Sequence, residues 1–170
     1  MPSPSKAKGN SFERRVADFL TDLYGEKFIR APGSGAYVGG KNTHRKELLH
    51  EGQIRNFKGD IVPGQSFSKL NAECKSYKDF PFHQLYTGNT KILDTWLEQL
   101  MDVSDTGDYN ILFMKFNRKG EFVATPSANA TVAEDQNYTI YNSPKYGQWT
   151  IQEFNIFWSN NKELVRTHCA

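Results

Sequence analysis

The chain has 170 residues, 24% charged and 38% hydrophobic, with a net charge of +2 and two cysteines. That length carries one domain with a full core; two cysteines exclude a disulfide framework, and no apolar run approaches membrane-spanning length. No charged-then-apolar leader opens Met1 to Lys8, so residues 1–8 are expected to be a flexible basic arm on a cytoplasmic protein.

Gly9 to Leu23 reads as a helix, because Phe12, Val16, Leu20 and Leu23 recur at helical spacing and Gly25 stops it. Lys27 to Ala31 is a short strand, broken by Pro32-Gly33-Ser34-Gly35. Residues 36–58 form a basic, Gly-rich insertion, with a short helix expected over Arg45 to Glu51. Phe57 to Val62 and Leu70 to Lys75 read as an antiparallel hairpin through the type II turn pair Pro63-Gly64. An aromatic, irregular stretch runs from Asp79 to Gly88. Thr90 to Val103 is a helix with an apolar face of Ile92, Leu93, Trp96, Leu97, Leu100 and Met101. Tyr109 to Asn117 is a buried strand, and Glu121 to Thr125 another. The order αβββαβ predicts an α/β fold, a mixed sheet with a helix on each face. Tyr138 to Tyr141 is a strand candidate, and Thr150-x-x-Glu153 has the form of a capping box before the apolar stripe Phe154, Phe157, Trp158. Residues 126–170 are expected to be a C-terminal extension of a single domain, 9–170, whose core spans about 9–125.

The chemistry centres on Glu73-Cys74-Lys75. A strand there points Glu73 and Lys75 to one face and Cys74 to the other. Asp60 on the preceding strand then sits beside Glu73, and two carboxylates with an ammonium hold together best around a divalent cation. The set suits Mg²⁺, with Mn²⁺ as a substitute, bound by Asp60, Glu73 and the backbone carbonyl of Cys74 for hydrolysis of a phosphodiester. Lys75 would orient the attacking water or stabilise the pentacoordinate phosphate. Glu13 is either a third carboxylate or, through Asn10-x-x-Glu13, a capping residue at the helix start; spacing leaves both open. Arg30 and Ser34 flank the Pro32-Gly33 break and suit a phosphate oxygen, although Ser34 is equally a turn former. Lys8, Arg14, Arg30, Lys41, Arg45, Lys46, Arg55 and Lys58 crowd the chain before Asp60, which fits a DNA partner or a solvated charged face. His44 and His50 lie six apart, outside helical metal-ligand spacing, and there is no Walker loop, dinucleotide fingerprint or nucleophile elbow.

Four strings together, Lys8-Gly9-Asn10-Ser11-Phe12-Glu13-Arg14-Arg15, Arg30-Ala31-Pro32-Gly33-Ser34-Gly35, Gly59-Asp60-Ile61 and Glu73-Cys74-Lys75, resemble the PD-(D/E)XK nuclease superfamily. Within it they are similar to Holliday junction resolvases of archaeal and phage type. The resemblance implies a restriction-endonuclease-like core and catalytic roles for Glu13, Ser34, Asp60, Glu73 and Lys75, with Ser34 near the scissile phosphate. It implies a metal-dependent, structure-selective endonuclease of branched DNA, phage-encoded and acting in the host cytoplasm, with a homodimer making two paired cuts. Trp149, Phe154, Phe157 and Trp158 either feed that dimer interface or close their own core. Phe80-Pro81 and His83-Gln84 are also similar to bacterial RecU-type resolvases, which makes Gln84 a secondary candidate. Gly59 stands where the superfamily name has proline, and the insertion 36–58 departs from the tight loop of archaeal resolvases. A restriction-like or repair nuclease of the same fold, or a non-catalytic DNA-binding module, are the rival readings.

Overall fold

The computed structural model describes residues 4–32, 58–88 and 90–170. Its elements are α1 (Pro4–Tyr24), β1 (Ile29–Arg30), β2 (Ile61–Val62), β3 (Leu70–Tyr77), α2 (Gln84–Thr87), α3 (Lys91–Asp102), β4 (Tyr109–Phe116), β5 (Gly120–Pro126), β6 (Tyr138–Ser143), β7 (Gly147–Glu153) and α4 (Phe154–Cys169). Five strands form one sheet in the order β3-β4-β5-β7-β6. β3 and β4 run parallel and the other pairs antiparallel. A parallel pair needs a crossover longer than a hairpin, and α3 lies in that connection.

β4 is buried on both faces, and its alternation divides the core. Ile111 and Phe113 pack with Phe12, Val16 and Leu20 of α1 and with Phe154, Phe157 and Trp158 of α4. Leu112, Met114 and Phe116 pack with Leu93, Trp96, Leu97 and Leu100 of α3. Ala72 and Cys74 of β3 join the α1 side. Glu73, Lys75 and Tyr77 therefore project on the α3 side of an edge strand. The mixed sheet with helices on both faces is the expected architecture.

Several local expectations are corrected. α1 starts at Pro4 rather than Gly9, so Pro4 to Lys8 are helical and not part of an arm. Of the strand expected over Phe57 to Val62, only Ile61–Val62 is a strand among the described residues, and it pairs with β1 instead of laddering with β3. Gly59 is the reason: its φ is +69°, and a side chain there would put its first carbon 2.5 Å from the Ala72 carbonyl oxygen. The backbone thus crosses tight against β3 in a conformation open mainly to glycine. Gly64 is extended, at φ −64° and ψ 169°, so Pro63-Gly64 is no type II turn.

The segment 126–170 is no appendage, since it supplies β6, β7 and α4. Thr150 lies inside β7, and Glu153 itself caps α4, accepting from the N–H groups of Asn155 at 2.9 Å and Ile156 at 3.0 Å. Trp149, Phe154, Phe157 and Trp158 are all buried and close this core rather than a dimer interface.

Candidate functional site

Asp60 is fixed on three sides. Its N–H donates to the Ala72 carbonyl and its own carbonyl accepts from Ala31, both at 2.8 Å. Its Oδ2 accepts from the Cys74 N–H at 2.8 Å. In a strand the N–H and C=O of one residue point the same way, so the Cys74 carbonyl also faces the open edge of β3, toward Asp60. Cys74's side chain is buried in the core, so its thiol serves packing while its backbone serves the site.

Glu73 and Lys75 stand together on the opposite face of the strand, as their alternation requires. Lys75 Nζ donates to Glu73 Oε1 at 2.6 Å and to Gln99 Oε1 at 2.5 Å. Gln99 was not among the sequence candidates. It is a polar residue on α3, and only the packing of α3 over β3 brings it to Lys75. No periodicity in the sequence carries that crossing.

Glu13 is 8% exposed, and its Oε2 accepts from Arg30 Nε. Arg30 Nη2 also donates to Asn10 Oδ1 at 2.8 Å. Because α1 begins at Pro4, Asn10 is an interior helical residue, and the capping-box alternative for Glu13 falls. Asn10 and Glu13 are i,i+3 neighbours that together grip Arg30.

The electrostatics gather these residues into one site. The Asp60 carboxyl is pushed up to about 8, first by burial, then by the charge of Glu73, with Glu13 adding to both. The Cys74 N–H bond and Lys75 pull the other way. The Cys74 thiol is pushed well up by burial and by the same acids. Three buried acids this close fit a hard divalent cation, because every available donor is oxygen: Asp60, Glu73, Glu13 and the Cys74 carbonyl. Among the described residues no group of three or more His, Cys, Asp and Glu is placed to hold a metal ion by itself.

The other sequence candidates divide. Ser34, Lys41, Arg45, Lys46 and Arg55 lie outside the described residues, as do His44 and His50. Lys8 and Arg14 are exposed on α1. Lys58 is a correction: it is 6% exposed and ion-paired with Asp105 at 3.1 Å and with Asp108, so its charge is spent inside the fold instead of facing phosphate. Gln84 opens α2, and among the described residues no hydrogen bond ties its side chain to Asp60, Glu73 or Lys75. His168 sits edge-on to Tyr109 at 5.1 Å, with Nε2 3.2 Å from the Gly107 carbonyl, a packing role. No described helix is long and apolar enough to cross a membrane.

A family model described as "Phage putative PDDEXK endonuclease" matches residues 4–167. Protein D14 of Escherichia phage T5 is 34% identical over 103 residues, covering 58% of this chain and 56% of D14. The match thus spans little more than half of that relative's length. No solved structure matches.

Proposed function

The chain belongs to the phage PDDEXK endonuclease family, and from that premise we propose that it is a Mg²⁺-dependent DNA endonuclease acting on branched DNA, with the four-way Holliday junction as its substrate. The observation that carries the reading is Asp60 bonded to the Cys74 N–H at 2.8 Å, beside the Glu73–Lys75 pair at 2.6 Å. Asp60, Glu73 and the Cys74 carbonyl would hold the cation. When bound, it lowers the pKa of a water and stabilises charge building on the phosphate.

The protein's own groups do the rest. Lys75, steadied by Glu73 and Gln99, keeps an ammonium beside the carboxylates, where it orients the attacking water or meets charge developing on the phosphate oxygens. Arg30, held by Glu13 and Asn10, aims a guanidinium at the same side and suits a second phosphate oxygen. Ser34 and the basic residues Lys41, Arg45, Lys46 and Arg55 are proposed as further phosphate contacts, with Lys8 and Arg14 of α1. Paired cuts across a junction call for two active sites, hence a homodimer in the host cytoplasm.

The test compares cleavage of a four-way junction, a flap and a linear duplex at equal concentration with Mg²⁺ or Mn²⁺. Preference for the junction is expected. Equal rates on all three would leave a restriction-like or repair nuclease, and no cleavage of any would leave a DNA-binding module. Sedentary monomer mass on a junction, measured by light scattering, would sink the dimer.

A further inference from the structure

Along β3 the residues on the α3 side are Glu73, Lys75 and then Tyr77. Tyr77 stands one strand repeat beyond Lys75, about 6.6 Å at 3.3 Å per residue. It is a large aromatic left 44% exposed, yet it is not loose. One side of its ring packs on Trp96, centroids 4.9 Å apart and 39° between planes. Trp96 is itself 2% exposed and backed by Phe80 and Phe116. A ring fixed from behind and open in front offers a π-face at no further loss of side-chain freedom.

The surroundings are cationic. The Tyr77 carbonyl accepts from the Asn117 N–H at 3.1 Å, which brings the β4–β5 turn, with Arg118 and Lys119, alongside. Lys78, Arg118 and Lys119 are all exposed. The acid beside them, Asp79, is bonded to Lys119 at 2.6 Å and also feels Lys78, so one acid faces three cations and an excess of positive charge is left for phosphate.

We infer that Tyr77, flanked by Lys78 and Arg118, is a stacking subsite for an unpaired nucleobase next to the phosphate held at Lys75. A duplex keeps its base faces inside the stack and offers only edges in its grooves, so an open ring face selects a base that is unpaired, at a branch point or a strand end. This rests on the nuclease reading above and names the local substrate feature that the site takes.

The experiment binds the full chain, in EDTA so that nothing is cut, to oligonucleotides carrying 2-aminopurine in a single strand, a duplex and a duplex with an unpaired flap. Stacking quenches the probe in the single strand and the flap. Tyr77→Ala should relieve that quench and weaken binding of the unpaired strand about tenfold, the size of one base stack, while duplex affinity moves less than about twofold. Tyr77→Phe should restore both quench and affinity. Equal losses on paired and unpaired DNA, or none, would overturn the subsite. Should Tyr77→Ala fail to fold, the surface pair Lys78→Ala with Arg118→Ala decides: the single-strand log-salt slope should flatten by about 1.4, for two phosphates, and an unchanged slope sinks the proposal. A chain that quenches through Tyr77 but cuts no DNA with Mg²⁺ or Mn²⁺ fails the nuclease reading alone. One that cuts junctions while Tyr77→Ala is blind to pairing fails this inference alone.

Discussion

Two lysines lie low in this molecule, and their neighbourhoods are built to different ends. Lys58 meets Asp105 and Asp108; Asp108 has only 6% of its side chain exposed, and Asp105, with 56%, shares its charge with water. Lys75 bonds Glu73, and the buried Asp60 feels Glu73, Glu13 and Lys75 together. Arg30 is taken by Glu13 and Lys75 by Glu73, which leaves Asp60 with the Cys74 N–H as its bond within the described chain. The first cluster pairs its one buried acid, Asp108, with its lysine and ties the segment before Asp60 to the α3–β4 turn. The second holds an acid too many, and burial beside Glu73 pushes the Asp60 carboxyl up to about 8, so it keeps a proton that the proposed cation would displace.

The comparison breaks first at Asp60. Asp60→Asn should lower cleavage by orders of magnitude, at least about 10³-fold, while junction binding survives, read by cleavage and gel shift in parallel. The same variant should unfold at higher urea near neutral pH, by about 1–2 kcal/mol, since it removes a carboxyl that must take up a proton on folding. Lys58 should behave in the opposite sense. Lys58→Met strands Asp108 in the interior and should cost about 3–5 kcal/mol in a urea titration, with Lys58→Arg recovering most of it.

A pH titration of the metal-free protein sharpens the contrast. The Asp60 carboxyl rises from 3.8 to about 8 on folding, so the fold binds its proton more tightly than the unfolded chain does. That stabilisation is complete below about pH 4 and is lost as pH rises through about 8. Thermal midpoints should therefore carry a falling contribution across that window, absent in Asp60→Asn and reduced by added Mg²⁺. The smallest effect belongs to Gln99: Gln99→Ala should slow cleavage about tenfold, about 1.4 kcal/mol, with binding unmoved, because its bond in the structure is to Lys75.

What the sequence made legible follows from how local each feature is. Strand alternation alone puts Glu73 and Lys75 on one face and Cys74 in the core, and the structure agrees. The helical stripe of α3 and the burial of β4 are equally local. Lys58 was misread because a run of positive charge cannot reveal acids some fifty residues on, at Asp105 and Asp108. Gln99 stayed hidden for the same reason. β7 was obscured by competing signals. Trp149 and Ile151 alternate with Thr150 and Gln152 as a strand would, but Thr150-x-x-Glu153 imitates a helix start, and the polar pair is buried too. Glu13 became readable only once α1 was seen to begin a full turn earlier.

Gly59 restricts how this chain can diverge. Its φ of +69° is closed to proline, whose ring holds φ near −65°, and any side chain there collides with the Ala72 backbone. The proline of the superfamily's name cannot be regained here by a single substitution. It would arrive only with a shift of β3 that moves the Ala72 carbonyl and, through it, the amide that holds Asp60. Glycine at 59 and the path of β3 are thereby fixed together, so Gly59→Pro should fail to fold unless a second change in β3 moves the Ala72 backbone aside.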